Sequence, residues 1–237
     1  MNLLAFESST RLGSVALFQN GQCTHFKESD IQRSHSENLQ FFAVEILKRA
    51  GLSFSDIDCF ATGIGPGSFT GIRVSLNAVK TFSYAFSKPL VQVDSLHALA
   101  FQNQTADLPL LPLINAYKNM SYYGVYRQAQ GLLSTEVQPS VIQMKQIGQI
   151  LTQPHLTFGD GYLAYEKFIP DSLKSKMIRP QNPQDYPHAK SIGVLGLEKL
   201  KKGLTLDWKL LNPLYIRSSE AEETAQGIVW SPLDFKE

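Results

Sequence analysis

The chain has 237 residues, enough for one large or two small domains, with 43% apolar and 18% charged side chains, a globular composition that can bury a core. Lys plus Arg is 22 and Asp plus Glu 21, a formal net charge of +1, which argues against a protein that grips nucleic acid by itself. Cys23 and Cys59 have no CxxC spacing, no signal-like leader follows Met1, and no apolar run approaches the ~20 residues of a membrane span, so the expectation is a soluble, cytoplasmic protein with no membrane role. From the N-terminus, Leu3 to Glu7 predicts a short apolar strand and Ser8 to Gly13 a hydroxyl-rich turn. Ser14 to Gln19 alternates as a second strand, Asn20-Gly21 is a hairpin turn, and Gln22 to Lys27 supplies a third strand. A helix begins at Ser34 or Ser36, either of which can cap it, and runs to Ala50. Ile57 to Ile64 is a buried strand that enters a Gly/Pro loop, and a second helix follows from about Phe69 to Phe86. Leu90 to Val93 is a further strand, and Ser95 is a candidate cap for a short third helix.

The second half is less sharply punctuated. Leu111 to Asn115, Tyr122 to Tyr126 and Thr135 to Val137 are candidate strands, and helical stretches are expected near Val141 to Leu151, Tyr162 to Ile169 and Lys190 to Lys202. An apolar strand ends at Phe158, before Gly159-Asp160-Gly161. The order β-β-β-α-β-α occurs twice, which is the pattern of a duplicated actin-like/Hsp70-like ATPase (ribonuclease H-like) α/β fold. The Pro-rich stretch Leu108 to Pro112 sets the expected boundary, giving an N-terminal subdomain of residues 1–107 and a C-terminal one of 108–237.

Two segments are candidates for chemistry. Glu7, Ser8, Ser9 and Thr10 place a carboxylate and hydroxyls between the first two strands, where this ATPase fold faces phosphates; an ordinary polar turn explains them equally well. In Gly65 to Gly71 (GPGSFTG), Gly65 and Gly67 allow close backbone approach and Ser68 can cap the helix, leaving N–H groups that suit an anion. No Gly-Lys-Ser/Thr follows, so this is not a Walker A loop, and composition alone favours a tight strand-to-helix turn. The helices carry more apolar residues than one face needs. Leu39, Phe42, Ala43, Ile46 and Leu47 make the first helix's stripe, with Phe41 and Val44 beside it. On the second helix, Val74, Ala78 and Ala85 spread beyond the main stripe. The surplus is covered either within the fold or by a partner.

Gly63 to Gly71, with Arg33-Ser34-His35-Ser36-Glu37, Ala50-Gly51-Leu52-Ser53, Ile72-Arg73, Ala78-Val79-Lys80, Pro89-Leu90-Val91 and Asp94-Ser95-Leu96, resembles the TsaB (YeaZ) family in order and spacing. The resemblance is dense over roughly the first hundred residues and continues through Gly159-Asp160-Gly161 and Pro213-Leu214-Tyr215-Ile216-Arg217. It implies a non-catalytic partner subunit in the threonylcarbamoyl modification of the adenosine beside the tRNA anticodon, in tRNAs reading codons that start with A. The implied partners are the larger catalytic relative TsaD as a heterodimer, the small ATPase TsaE in a larger complex, a second copy as a homodimer, and tRNA indirectly. It further implies that the first two helices form the partner interface, with Phe41, Val44, Val74, Ala78 and Ala85 as candidates. TsaD-like subunits hold a metal through a His-x-x-x-His pair after the strand that Leu90 to Val93 resembles. Here that run holds His97 alone, so neither a metal nor another cofactor is implied. The sequence departs from the resemblance at Asn115-Ala116-Tyr117, where the family often has an acidic residue. The alternatives are a nucleotide-binding enzyme of the actin-like fold, independent of metal, a glycoprotease-like enzyme, and a tRNA-binding module acting alone.

Overall fold

A computed structural model describes residues 1–30, 37–104, 108–129 and 132–218. The expected helix caps Ser34 and Ser36, and His35, lie outside the described residues. The chain divides into two units, one made of residues 1–98 and 187–214, the other of residues 99–186 and 215–237.

In the first unit β1 (Asn2–Glu7), β2 (Leu12–Gln19) and β3 (Gln22–Asp30) form an antiparallel meander. Helix α1 (Glu37–Arg49) leads to β4 (Cys59–Gly63), and α2 (Phe69–Phe86) to β5 (Leu90–Val93). β4 and β5 add in parallel, giving the order β3-β2-β1-β4-β5. Successive side chains of a strand point to opposite faces, and here both faces are buried. Leu4, Phe6, Val15, Leu17 and Phe60 pack with Leu39, Phe42, Ile46, Ile72, Leu76 and Val79 of α1 and α2. Leu3, Ala5, Ala16, Phe18, Ala61 and Val91 are the alternate, equally buried set. Helix α3 (Ser95–Gln102) then carries the chain from one unit into the other.

The second unit repeats the plan. β6 (Leu110–Asn115), β7 (Met120–Ala129) and β8 (Leu132–Gln143) are antiparallel, and β9 (His155–Phe158) and β10 (Met177–Ile178) add in parallel, in the order β10-β9-β6-β7-β8. Read from β8, this is the strand order of the first sheet, and the chain has the duplicated actin-like architecture. Helices α4 (Asp160–Tyr165) and α5 (Asp171–Lys174) are short, with a single 3-10 turn over Glu166–Phe168 in place of the expected continuation to Ile169.

Two expectations are corrected. Val141 to Leu151 is not a helix: β8 continues to Gln143 because Ser140, Val141 and Ile142 stay paired with Tyr123, Tyr122 and Ser121, and a 3-10 segment, Met144–Gln149, follows. β-branched neighbours favour the strand and Gly148 weakens the helix. The division at 107/108 also fails. Helix α6 (Ala189–Lys201), expected in the C-terminal subdomain, packs on β1, β2, β4 and β5 of the first sheet. Two helical glycines permit this contact. A Cβ on Gly193 would lie 2.0 Å from Phe18 Cε2, and one on Gly196 would meet Ala61 Cβ at 3.1 Å and Val91 Cγ2 at 3.2 Å.

Candidate functional site

The sequence candidates converge in the first unit at the C-terminal ends of β1 and β4. Glu7 ends β1 and is fully buried. Its Oε1 accepts the Ser9 N–H at 2.6 Å and its Oε2 accepts the Ser95 hydroxyl at 2.9 Å. Ser95 also accepts the Gly65 N–H at 3.2 Å, and its own N–H donates to the Gly65 carbonyl at 2.8 Å. One carboxylate thus ties the β1–β2 turn, the loop after β4 and the start of α3. Burial pushes the Glu7 carboxyl above the ordinary carboxylate range, against the pull of its donors from Ser9 and Ser95.

Ser68 caps α2, accepting the Gly71 N–H at 3.2 Å as expected. The space before that helix end is filled by the chain itself. The Ser68 N–H donates to the Ser9 carbonyl at 2.6 Å, and the Ser8 hydroxyl to the Gly71 carbonyl at 2.7 Å. A Cβ on Gly67 would stand 2.1 Å from the Ser9 carbonyl oxygen, and one on Gly71 2.1 Å from that of Ser8. The glycines admit the neighbouring turn, and this contact uses the Ser68 N–H that an anion would need. The Thr10 hydroxyl is buried with no hydrogen-bond partner among the described residues.

Sequence reasoning cited Gly63 and Asp94 only within the family resemblance, with no role, and missed Lys199. A Cβ on Gly63 would overlap Glu7 Oε2 at 1.8 Å. Ser95, expected as the cap of α3, gives that role to Asp94, whose Oδ1 accepts the N–H of Leu96 at 2.7 Å and of His97 at 3.2 Å. Lys199 of α6 donates to the Gln92 carbonyl at 2.7 Å. Asp-Ser between a strand and a helix is a readable capping signal; the approach of Lys199 depends on chain crossing and left no local sign. Among the described residues no three His, Cys, Asp or Glu side chains are grouped to hold a metal ion. His97 is partly buried on α3, and burial lowers its pKa.

Burial lifts the Asp94 carboxyl to about 6, although Lys199 pulls it the other way. A carboxyl whose native pKa exceeds its unfolded value contributes stability that is complete below pH ~4 and is lost as pH rises through about 6. The imidazoles of His155, which is buried, and of His97 and His188, which are half-buried, act in the opposite sense, since loss of solvent lowers their pKa values. Asp94→Asn, which can still cap, isolates the carboxyl. The wild type is expected to lose roughly 1.4 kcal/mol relative to Asp94→Asn between pH 5 and pH 8, read from urea midpoints at each pH. Parallel curves for the two proteins would show that Asp94 titrates normally.

The interface candidates separate. Phe41 is 64% and Val44 52% exposed on α1, and Ala85 is exposed on α2. Val74 is half-buried against the core, and Ala78 is buried within its own unit, so it offers no surface to a partner. In the second unit the position matching Glu7, at the end of the first strand, is Asn115. Its Oδ1 accepts the Tyr117 N–H at 2.9 Å and the Tyr165 hydroxyl at 3.0 Å, and its N–H donates to Asp160 at 2.9 Å. The amide is held by neutral donors.

The family model described as "TsaD: tRNA N6-adenosine threonylcarbamoyltransferase" matches residues 28–225. A Haemophilus influenzae relative, the "tRNA threonylcarbamoyladenosine biosynthesis protein TsaB", is 28% identical over 234 residues, spanning 89% of this chain and 97% of its own. The Bacillus subtilis protein of the same description is 25% identical over 225 residues, spanning 94% and 96%. The solved structure "YeaZ from Pseudomonas aeruginosa" superposes with a TM-score of 0.73 at 25% identity, covering 90% of this chain and 99% of that one. The family match spans more than half of the chain, the full-length relatives are TsaB proteins, and the solved neighbour is a YeaZ: the chain belongs to this transferase-related family, in its TsaB (YeaZ) branch.

Proposed function

We propose that the chain is a non-catalytic partner subunit in tRNA threonylcarbamoyladenosine biosynthesis, supporting threonylcarbamoyl transfer by the larger relative TsaD, with TsaE joining the complex. The observation that carries this reading is the closed loop after β4. In a member of a transferase family, the Ser9 carbonyl lies against Gly67 and accepts the Ser68 N–H at 2.6 Å, where a phosphate would otherwise find a helix end. The chain's contribution is then a surface. Phe41 and Val44, one helical turn apart and more than half exposed, fit the role of partner-facing residues.

The test is reconstitution of the modification with purified components, with and without this chain. Loss of modification on omission, and none from the chain alone, is the expected result; modification by the chain alone would overturn the non-catalytic reading. Val44→Glu should fold normally by far-UV circular dichroism, because its side chain is exposed, and should no longer co-elute with TsaD, because a charge buried without a partner costs several kcal/mol. Co-elution and modification at wild-type levels by Val44→Glu and Phe41→Glu would remove this face of α1 from the interface. A second reading, a nucleotide-binding enzyme of the actin-like fold, is favoured by the unpartnered Thr10 hydroxyl beside the loop. Saturable ATP binding with turnover by the pure chain would establish it.

A further inference from the structure

The turn between β6 and β7 is built against the preferences of its residues. Tyr117, Lys118 and Asn119 have φ of 57°, 49° and 63°, so three successive side-chain-bearing residues sit in the left-handed region. Asparagine tolerates it; tyrosine and lysine do so poorly, and glycine would adopt it freely. The surrounding unit holds the turn in place. Beyond the two donors on Asn115 Oδ1, the Ala116 N–H donates to the Met120 carbonyl at 3.0 Å, the Met120 N–H to that of Tyr117 at 3.0 Å, and the Met144 N–H to that of Asn119 at 2.8 Å. Arg217 donates to the Ala116 carbonyl. The fixed framework presents the Tyr117 ring to solvent, 66% exposed. No structural need for a ring is visible there, and a strained, well-braced residue points to a contact.

The chemistry beside the ring selects the partner. Lys118 is the next residue, and Arg217 donates to the carbonyl of Ala116, the residue before Tyr117, so the turn brings two cationic residues to the backbone that carries the ring. Asp160 accepts the Asn115 N–H at 2.9 Å beside the turn. An aromatic platform with adjacent cations is the arrangement that stacks an unpaired base and balances its phosphate. We infer that the β6–β7 turn is a preformed contact for an unpaired RNA base, with Tyr117 as the stacking platform and Lys118 and Arg217 for the adjoining phosphate. This rests on the proposed role in tRNA modification and adds that the chain itself touches the RNA. The net charge of +1 agrees with a contact that contributes within a complex rather than one that captures RNA unaided.

Tyr117→Gly removes the ring at a position whose backbone favours glycine, so the test does not depend on a damaged fold. Binding of a fluorescent anticodon stem-loop RNA is titrated by anisotropy against the chain alone and against its complex with TsaD, for wild type, Tyr117→Gly and Tyr117→Phe. Tyr117→Gly should weaken the complex's affinity about tenfold, Tyr117→Phe should match wild type, and the urea midpoint of Tyr117→Gly should equal or exceed that of wild type. Unchanged RNA affinity in the Tyr117→Gly complex overturns the inference. So does loss of TsaD co-elution with RNA affinity intact, which would make the turn a protein contact. The titration reads the base contact directly, whereas the omission experiment reads the proposed role, so the two can fail separately.

Discussion

Gly193→Ala is expected to destabilise the protein by about 3 kcal/mol or more, the largest effect of any single methyl group considered. The added carbon would enter the Phe18 ring at 2.0 Å, and Phe18 is itself 2% exposed. Neither side can yield easily, because α6 packs on the sheet again one turn later, where a Cβ added at Gly196 would meet Ala61 Cβ at 3.1 Å. An ordinary exposed Gly→Ala change in a helix would stabilise it by up to ~1 kcal/mol, so sign as well as size separates the outcomes. Urea denaturation at fixed pH measures it. Phe18→Leu in the Gly193→Ala background should recover part of the loss, since the two groups compete for one volume. A midpoint at or above wild type for Gly193→Ala would mean that α6 does not approach the sheet this closely.

Glu7→Ala should cost roughly 3 kcal/mol and disturb assembly through the fold, although residues of its kind at a strand end invite a functional interpretation. Removing the carboxylate strips the acceptor from the Ser9 N–H and the Ser95 hydroxyl and leaves a cavity at a fully buried position. Glu7→Gln keeps the volume and one acceptor, and should cost about 1 kcal/mol. The close approach to Gly63 supplies an internal control. Gly63→Ala clashes with Oε2 in the wild type, so it should be far less damaging once Glu7 is alanine. Additive losses in that pair, or a Glu7→Ala protein of wild-type stability, would show that the carboxylate does not hold the three segments together.

The first sheet was legible because its signals are local. Alternation in β2, Asn20-Gly21 at the hairpin and the stripe from Leu39 to Leu47 on α1 each specify an element without reference to anything distant. Ser68 as a cap was readable for the same reason, and the structure gives it that role. What failed depended on tertiary pairing. Ser140 to Ile142 stays in β8 because β7 is there to pair with it. Ala78 looked peripheral on a helical wheel, yet it is buried, and Asp94 took the capping role expected of Ser95. For the candidate site, the residue types of Glu7 to Thr10 and Gly65 to Ser68 were visible, but not that each segment fills the other's space. That follows from the register of β1 against β4, in which Phe6 pairs with Thr62, and from no pattern within either segment.

The return of α6 to the first sheet has a consequence for how the protein is made. Translation delivers residues 1–98 first, but the sheet face formed by Leu3, Ala5, Ala16, Phe18, Ala61 and Val91 waits for residues 189–201. At about 5–20 residues per second, the roughly hundred intervening residues take on the order of 5–20 s to synthesise. During that interval the nascent chain carries a finished pattern of strands with one apolar face uncovered, a surface for chaperones or for its neighbours on the same message. A fragment ending at residue 107 would keep that face exposed permanently and is expected to aggregate, whereas the same fragment supplied with a peptide of residues 187–214 regains its missing layer.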